Sequence, residues 1–136
     1  MSIWTHVVAT IRIDDFNGII DSKKKINLEK IFTRDTYYNR NDNCNIPYGS
    51  EGSLDVEIID RNEEGTEYMR VVTIWGDLRD YDRKDCEEIK EWWRKIPQRL
   101  GKACAIRNAV LQASSEDGAY FVLTEKDMNC FEEDDK

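Results

Sequence analysis

Apolar and polar residues alternate most cleanly at the start of the chain. Ile3, Val7, Ala9, Ile11 and Ile13 share one side of an extended segment, interrupted only by Thr5. Trp4, His6, Val8, Thr10 and Arg12 share the other. Period-two alternation with a mixed second face predicts an antiparallel-type strand with one side on the core. The same period returns at 54–60, where Leu54, Val56 and Ile58 oppose Asp55 and Glu57. It returns again at 67–75, where Met69, Val71, Thr73 and Trp75 stand opposite Tyr68, Arg70, Val72 and Ile74. The turn formers Asn62-Glu63-Glu64-Gly65 between these two runs make them antiparallel neighbours. Two more strands are predicted at 103–114 and 119–124, joined by a turn at 114–118.

Helical spacing replaces alternation in two places. Leu28, Ile31 and Phe32 share a helical face within 22–32, with Ser22 or Asp21 as the cap and Lys23, Lys24 and Lys25 toward water. From Asp82 onward, Cys86, Ile89, Trp93 and Ile96 recur at steps of three and four, and Asp82 with Asp85 forms a variant capping box. Pro97 is expected to end that helix or kink its last turn, and Gly101 to stop it. The stretch 33–53, rich in Asn and carrying one Pro and two Gly, holds no period and reads as a long connection. Such a loop is the segment best suited to carry specificity.

The order β-α-β-β-α-β-β predicts an α+β fold, a ferredoxin-like βαββαβ sandwich with an extra C-terminal β-strand and both helices on one sheet face. Residues 1–124 form the single domain, and 125–136 form an acidic, disordered tail. A length of 136 residues and 40% hydrophobic content suit one core. Net charge is −8, and half of it falls in that tail. A chain with this balance is not built to wrap a phosphate backbone, and the Lys23–Lys25 run is too short to change that. There is no apolar run long enough to span a membrane and no leader pattern at the N-terminus. Cys44, Cys86, Cys104 and Cys130 are widely spaced, and with one His they make no zinc pattern. The expectation is a cytoplasmic protein with reduced thiols and neither a metal nor another cofactor.

No nucleophile motif, HExxH or P-loop occurs, and the expectation is a protein without catalytic residues. His6 has no carboxylate or nucleophile near it in sequence and reads as a partly buried structural histidine. Gly49-Ser50-Glu51-Gly52-Ser53 precedes a strand rather than a helix, so it reads as a flexible turn and not an anion cradle. The segment 76–82 follows a strand directly, and its three carboxylates lack the EF-hand spacing. It reads instead as an exposed interaction edge, because Arg and Tyr are favoured interface anchors. Tyr48 and Glu51 from the long connection, with Asp77, Arg79 and Tyr81 from this edge, are the candidate binding residues. Base stacking of RNA on Trp4, Tyr68 and Trp75 is the minority reading, because 68–75 does not match an RNA-recognition strand and the charge opposes it.

The opening Ser2-Ile3-Trp4-Thr5-His6-Val7, the turn Pro47-Tyr48-Gly49-Ser50-Glu51-Gly52-Ser53 and the segment Gly76-Asp77-Leu78-Arg79-Asp80-Tyr81 together resemble small bacteriophage and prophage proteins of gut bacteria. The likeness covers roughly residues 1–13 and 46–96 and brings no activity with it. It implies a phage origin and the cytoplasm of a host cell. The function expected on that basis is an accessory protein that binds and inhibits a host macromolecule, in the manner of an anti-CRISPR inhibitor, its partner a host protein such as a nucleic-acid-binding effector. The alternatives are an oligomeric sponge for a nucleotide immune signal, and a structural or regulatory phage protein without an immune role. Sheet edges and faces of this fold class also allow a homodimer.

Overall fold

The computed structural model describes residues 3–16, 24–32, 46–47, 52, 54–60, 69–79, 86–102 and 104–128. Strands β1 (Trp4–Asp15), β2 (Leu54–Asp60), β3 (Met69–Arg79), β4 (Cys104–Ser115) and β5 (Tyr120–Thr124) form one sheet in the order β2-β3-β1-β4-β5. Every neighbouring pair is antiparallel. Among the described residues, short helices α1 (Leu28–Ile31), α2 (Cys86–Arg94) and α3 (Ile96–Leu100) accompany the sheet in an α+β fold, with a 3-10 turn at Glu125–Asp127. None of the described helices is long and apolar enough to cross a membrane.

The alternation read in β1 decides which face carries the core. Thr5, Val7, Ala9, Ile11 and Ile13 are buried, and His6, Val8, Thr10 and Arg12 are exposed. Register carries that parity across the sheet: Val72, Ile74 and Leu78 of β3 and Ala109, Leu111 and Ala113 of β4 join the same buried cluster. The predicted stripe Cys86, Ile89, Trp93 and Ile96 seals this face, and Trp92 is buried beside it, its ring 6.1 Å from that of Trp93. The Trp93 indole N–H donates to the Thr124 carbonyl at 2.9 Å, tying α2 to the end of β5.

Several local expectations are corrected. The first helix is one turn, Leu28–Ile31, and Asn27 caps it by accepting from the Lys30 N–H at 3.2 Å, so the cap lies well beyond Ser22 and Asp21. The Leu28–Phe32 face is as read, both residues being buried. As expected, the regular helix is interrupted, between Arg94 and Ile96, just before Pro97. Pro97 itself sits in the first turn of α3, where an N–H has no helical partner to lose. Gly101 closes α3, its N–H donating to the Pro97 carbonyl at 3.2 Å. Strand β3 does not stop at Trp75. Gly76, at φ 155°, carries it through to Arg79, paired with Val7 on one side and Leu54 on the other. The Asp82 capping box, like Tyr68 and the turn expected at 62–65, falls outside the described residues.

The folded body also runs past Thr124. Thr124 caps the turn at Glu125–Asp127, and the Asp127 carboxylate returns the favour by accepting the Thr124 N–H at 2.8 Å. Met128 is buried, so order persists four residues into the expected tail. Residues 129–136 lie outside the described set.

One polar network stands where the core face leaves the sheet. Arg70 points inward and is buried. Its Nε donates to Asp60 Oδ1 at 2.5 Å and its Nη1 to the Ile26 carbonyl at 2.5 Å, while buried Asp15 lies 3.7 Å from Nη1. Asp15 accepts from the Ile26 N–H at 2.6 Å. The network ties the end of β1, the approach to α1 and the β2–β3 hairpin, and charge pairing is what allows a guanidinium there.

Candidate functional site

With helices on one side, the other side of the sheet is left to solvent, and register lays out its side chains as a lattice. His6 faces Asp77 of β3 and Ser114 of β4, and Ser114 faces Tyr120. The next row is Asp55, Trp75, Val8, Gln112 and Val122. Then come Glu57, Thr73, Thr10, Val110 and Thr124, and after them Ile59, Val71, Arg12 and Asn108. Val8, Ile59, Trp75, Val110, Tyr120 and Val122 are 39 to 62% exposed. They are six of the seven exposed large apolar side chains among the described residues, and all six lie on this face. Such residues scattered singly need no explanation, but their collection on one flat face sets that face apart from the rest of the described surface.

Polar groups frame the apolar centre. At one end, His6 Nδ1 lies 2.6 Å from Asp77 Oδ1, and His6 Nε2 lies 4.0 Å from Glu116 Oε2. All three side chains are about half exposed, which corrects the expectation of a partly buried structural histidine without a carboxylate beside it. The other Glu116 oxygen accepts the Trp4 N–H at 3.0 Å, and the Glu116 N–H donates to the Trp4 carbonyl, so the β4–β5 turn clamps the start of β1. At the opposite end, buried Asp14 accepts from Arg107 Nε at 2.7 Å and has Arg12 Nε at 3.7 Å, beside a register shift in the β1–β4 pairing.

Of the sequence-derived binding residues, Asp77 and Arg79 lie on β3, on the strand rather than on a loop edge. Asp77 is exposed and joins His6, while Arg79 pairs in register with Trp4 and is half-buried. Tyr48, Glu51 and Tyr81 lie outside the described residues. Gly52, from the turn that follows Glu51, packs against this end of the sheet: a Cβ built there would collide with the Asp77 carbonyl oxygen and touch the Trp4 ring, and its φ is +77°.

The arrangement does not suit a histidine-activated nucleophile. A serine triad needs Nε2 directed at the hydroxyl. Ser114 stands opposite His6, yet Nε2 faces a carboxylate instead. Among the described residues no group of three or more His, Cys, Asp or Glu side chains is placed to hold a metal ion. Cys86 and Cys104 are not joined in disulfides and lie away from this face. Burial, then the charge of Asp15, pushes the Cys104 thiol up to about 11 despite the opposing pull of Arg70.

No family model matches the chain, and no curated protein or solved structure matches it. The fold and the exposed face define an α+β protein with a one-sided, five-stranded antiparallel sheet.

Proposed function

We propose that the chain is a non-enzymatic binding protein that docks another macromolecule on the open face of its sheet. The observation that carries this reading is the placement of Val8, Ile59, Trp75, Val110, Tyr120 and Val122 together on that face. Apolar surface is what a docking partner removes from water, and each large side chain so buried contributes roughly 1.5–3 kcal/mol before the costs of association. Trp75 and Tyr120 are the anchors, and His6, Asp77 and Glu116 form a polar rim that fixes orientation. The likeness to phage and prophage proteins supports a host macromolecule, a protein above all, as the partner, and inhibition as the outcome. The strand sequence β2-β3-β1-β4, with helices between β1 and β2 and between β3 and β4, supports a ferredoxin-like reading in which β5 departs from the simple four-stranded form.

The test is capture from host lysate, identification of the bound protein and reconstitution with that protein purified. Trp75→Asp and Tyr120→Asp are expected to abolish binding while circular dichroism stays native. A partner held equally by wild type and both variants would refute this surface. Retention only of single-stranded RNA would replace it with the stacking reading.

A further inference from the structure

We infer that the open face is closed by a second copy of this chain, in a symmetric pair whose two-fold axis runs along β1 beside Val8, so that self-association gates the docking surface. The gating rests on the binding function proposed above; the pairing rests on the face alone.

Shape is the first argument. A twisted sheet face fits another sheet face, the two packing about 10 Å apart and rotated by about 30°. Five strands about 4.8 Å apart, four of them offering seven residues and β5 five at about 3.3 Å each, make a face of roughly 520 Å² in plan, before side-chain relief is counted. That approaches the roughly 600–1,000 Å² per partner of a specific interface.

Position is the second argument. Strand β1 is the middle strand of five, with β3 and β4 on either side. A two-fold axis along it sets Val8 against Val8 and Thr10 against Thr10 of the other copy. It also lays β3 over the other copy's β4, and β2 over its β5.

Charge then selects this axis over the alternative. The outward residues of β2 are Asp55, Glu57 and Ile59, and those of β5 are Tyr120, Val122 and Thr124, which include no carboxylate. With the axis along β1, the acids of β2 meet that uncharged strand. A two-fold axis across the strands would stack β2 on β2 and set Asp55 over Glu57 in a drying interface, where like charges repel most strongly. The Arg12 pair falls at the end of the chosen axis. There the inter-sheet rotation draws the two copies apart, and each guanidinium has Asp14 beside it.

Sedimentation of the full chain, wild type against Val8→Asp and Gln112→Ala, tests the pairing. The expected result is a species of twice the 16.0 kDa chain mass for wild type. Val8→Asp should weaken its association by on the order of 100-fold or more, since it sets one carboxylate against another across the axis. Oxidation of Val8→Cys should join two copies through position 8, read as a linked peptide by mass spectrometry. Val122→Cys should not link to itself, because it lies over Asp55. A monomer at the highest soluble concentration overturns the proposal, and so does a dimer that Val8→Asp leaves intact. A monomeric chain that still loses its partner on Trp75→Asp refutes the pairing and leaves the docking function standing. A dimer broken by Val8→Asp, with partner binding unaltered by Trp75→Asp, does the reverse.

Discussion

Asp60 and Arg70 stand directly opposite each other in the β2–β3 register, with Asp60 Oδ1 2.5 Å from Arg70 Nε. Arg70 is on the core side of β3, so this pair is what makes a charged residue tolerable there. Arg70→Ala takes the guanidinium from buried Asp15 and leaves Asp60 with only the exposed Lys25 as a cation. It is expected to lower unfolding free energy by about 3 kcal/mol, measured by urea denaturation. Lys25→Ala, which removes only the exposed arm at 3.3 Å from Asp60, is expected to cost under about 0.5 kcal/mol.

The same pair sets an acid limit. Burial pushes the Asp60 carboxyl up, but hydrogen bonds and charge from Arg70 and then Lys25 outweigh it and hold the group below its ordinary range. A carboxylate depressed in the folded state contributes stability that is full above its unfolded value of about 3.9. That contribution is lost as pH falls through the lower folded value. Denaturation midpoints should therefore drop below about pH 4 in wild type, and Asp60→Asn should remove this part of the slope. An unchanged slope in Asp60→Asn would refute the assignment.

Gly52 couples the long connection to the polar rim. With φ at +77° and the Asp77 carbonyl where a Cβ would go, Gly52→Ala is expected to cost about 1–3 kcal/mol. Crosspeaks of His6 and Asp77 should shift in an NMR spectrum of the variant. Asp77→Asn, by contrast, alters only a half-exposed pair and should change stability by less than about 1 kcal/mol.

Cys104 should be a poor nucleophile. Its thiol, raised to about 11, carries roughly 200-fold less thiolate at pH 8 than a free cysteine. Peptide-resolved alkylation by iodoacetamide, timed against free cysteine, should show a lag of that order. Equal rates would mean that the thiol is not held as described.

Trp93 joins helix and sheet twice over, by packing and by its bond to Thr124. Trp93→Phe should cost about 2 kcal/mol, from the lost volume and the abandoned carbonyl. Near-ultraviolet circular dichroism should change with it, since the Trp92 ring would lose its neighbour.

What the sequence makes legible follows from how local each signal is. Alternation in β1 and β2 and the stripe Cys86, Ile89, Trp93 and Ile96 are short-range patterns, and the structure repeats them with few changes. Pro97 marked the break after Arg94 but not the helix that resumes through it, because proline reads alike at the end of one helix and at the start of the next. Gly76 misled because glycine breaks a strand less than its turn preference suggests when both neighbours hold it in register. The rim was out of reach for another reason. His6 meets Asp77 and Glu116 only through strand order, and no window of the chain holds all three. The apolar lattice had a visible trace in Val8, Trp75 and Val122, yet nothing local tells which side of β5 faces outward.

The central place of β1 has a cost that appears only while the chain is being made. Residues 4–15 leave the ribosome before both of their neighbours, residues 69–79 and 104–115. At typical elongation rates, completing the second neighbour takes about 5–20 s. Until residues 69–79 are made Val7, Ile11 and Ile13 have no neighbouring strand to pair with, and a nascent chain arrested before residue 104 would still keep one flank of the strand bare. Whatever cell makes this protein must shield its N-terminal strand for that long, or make it sparingly.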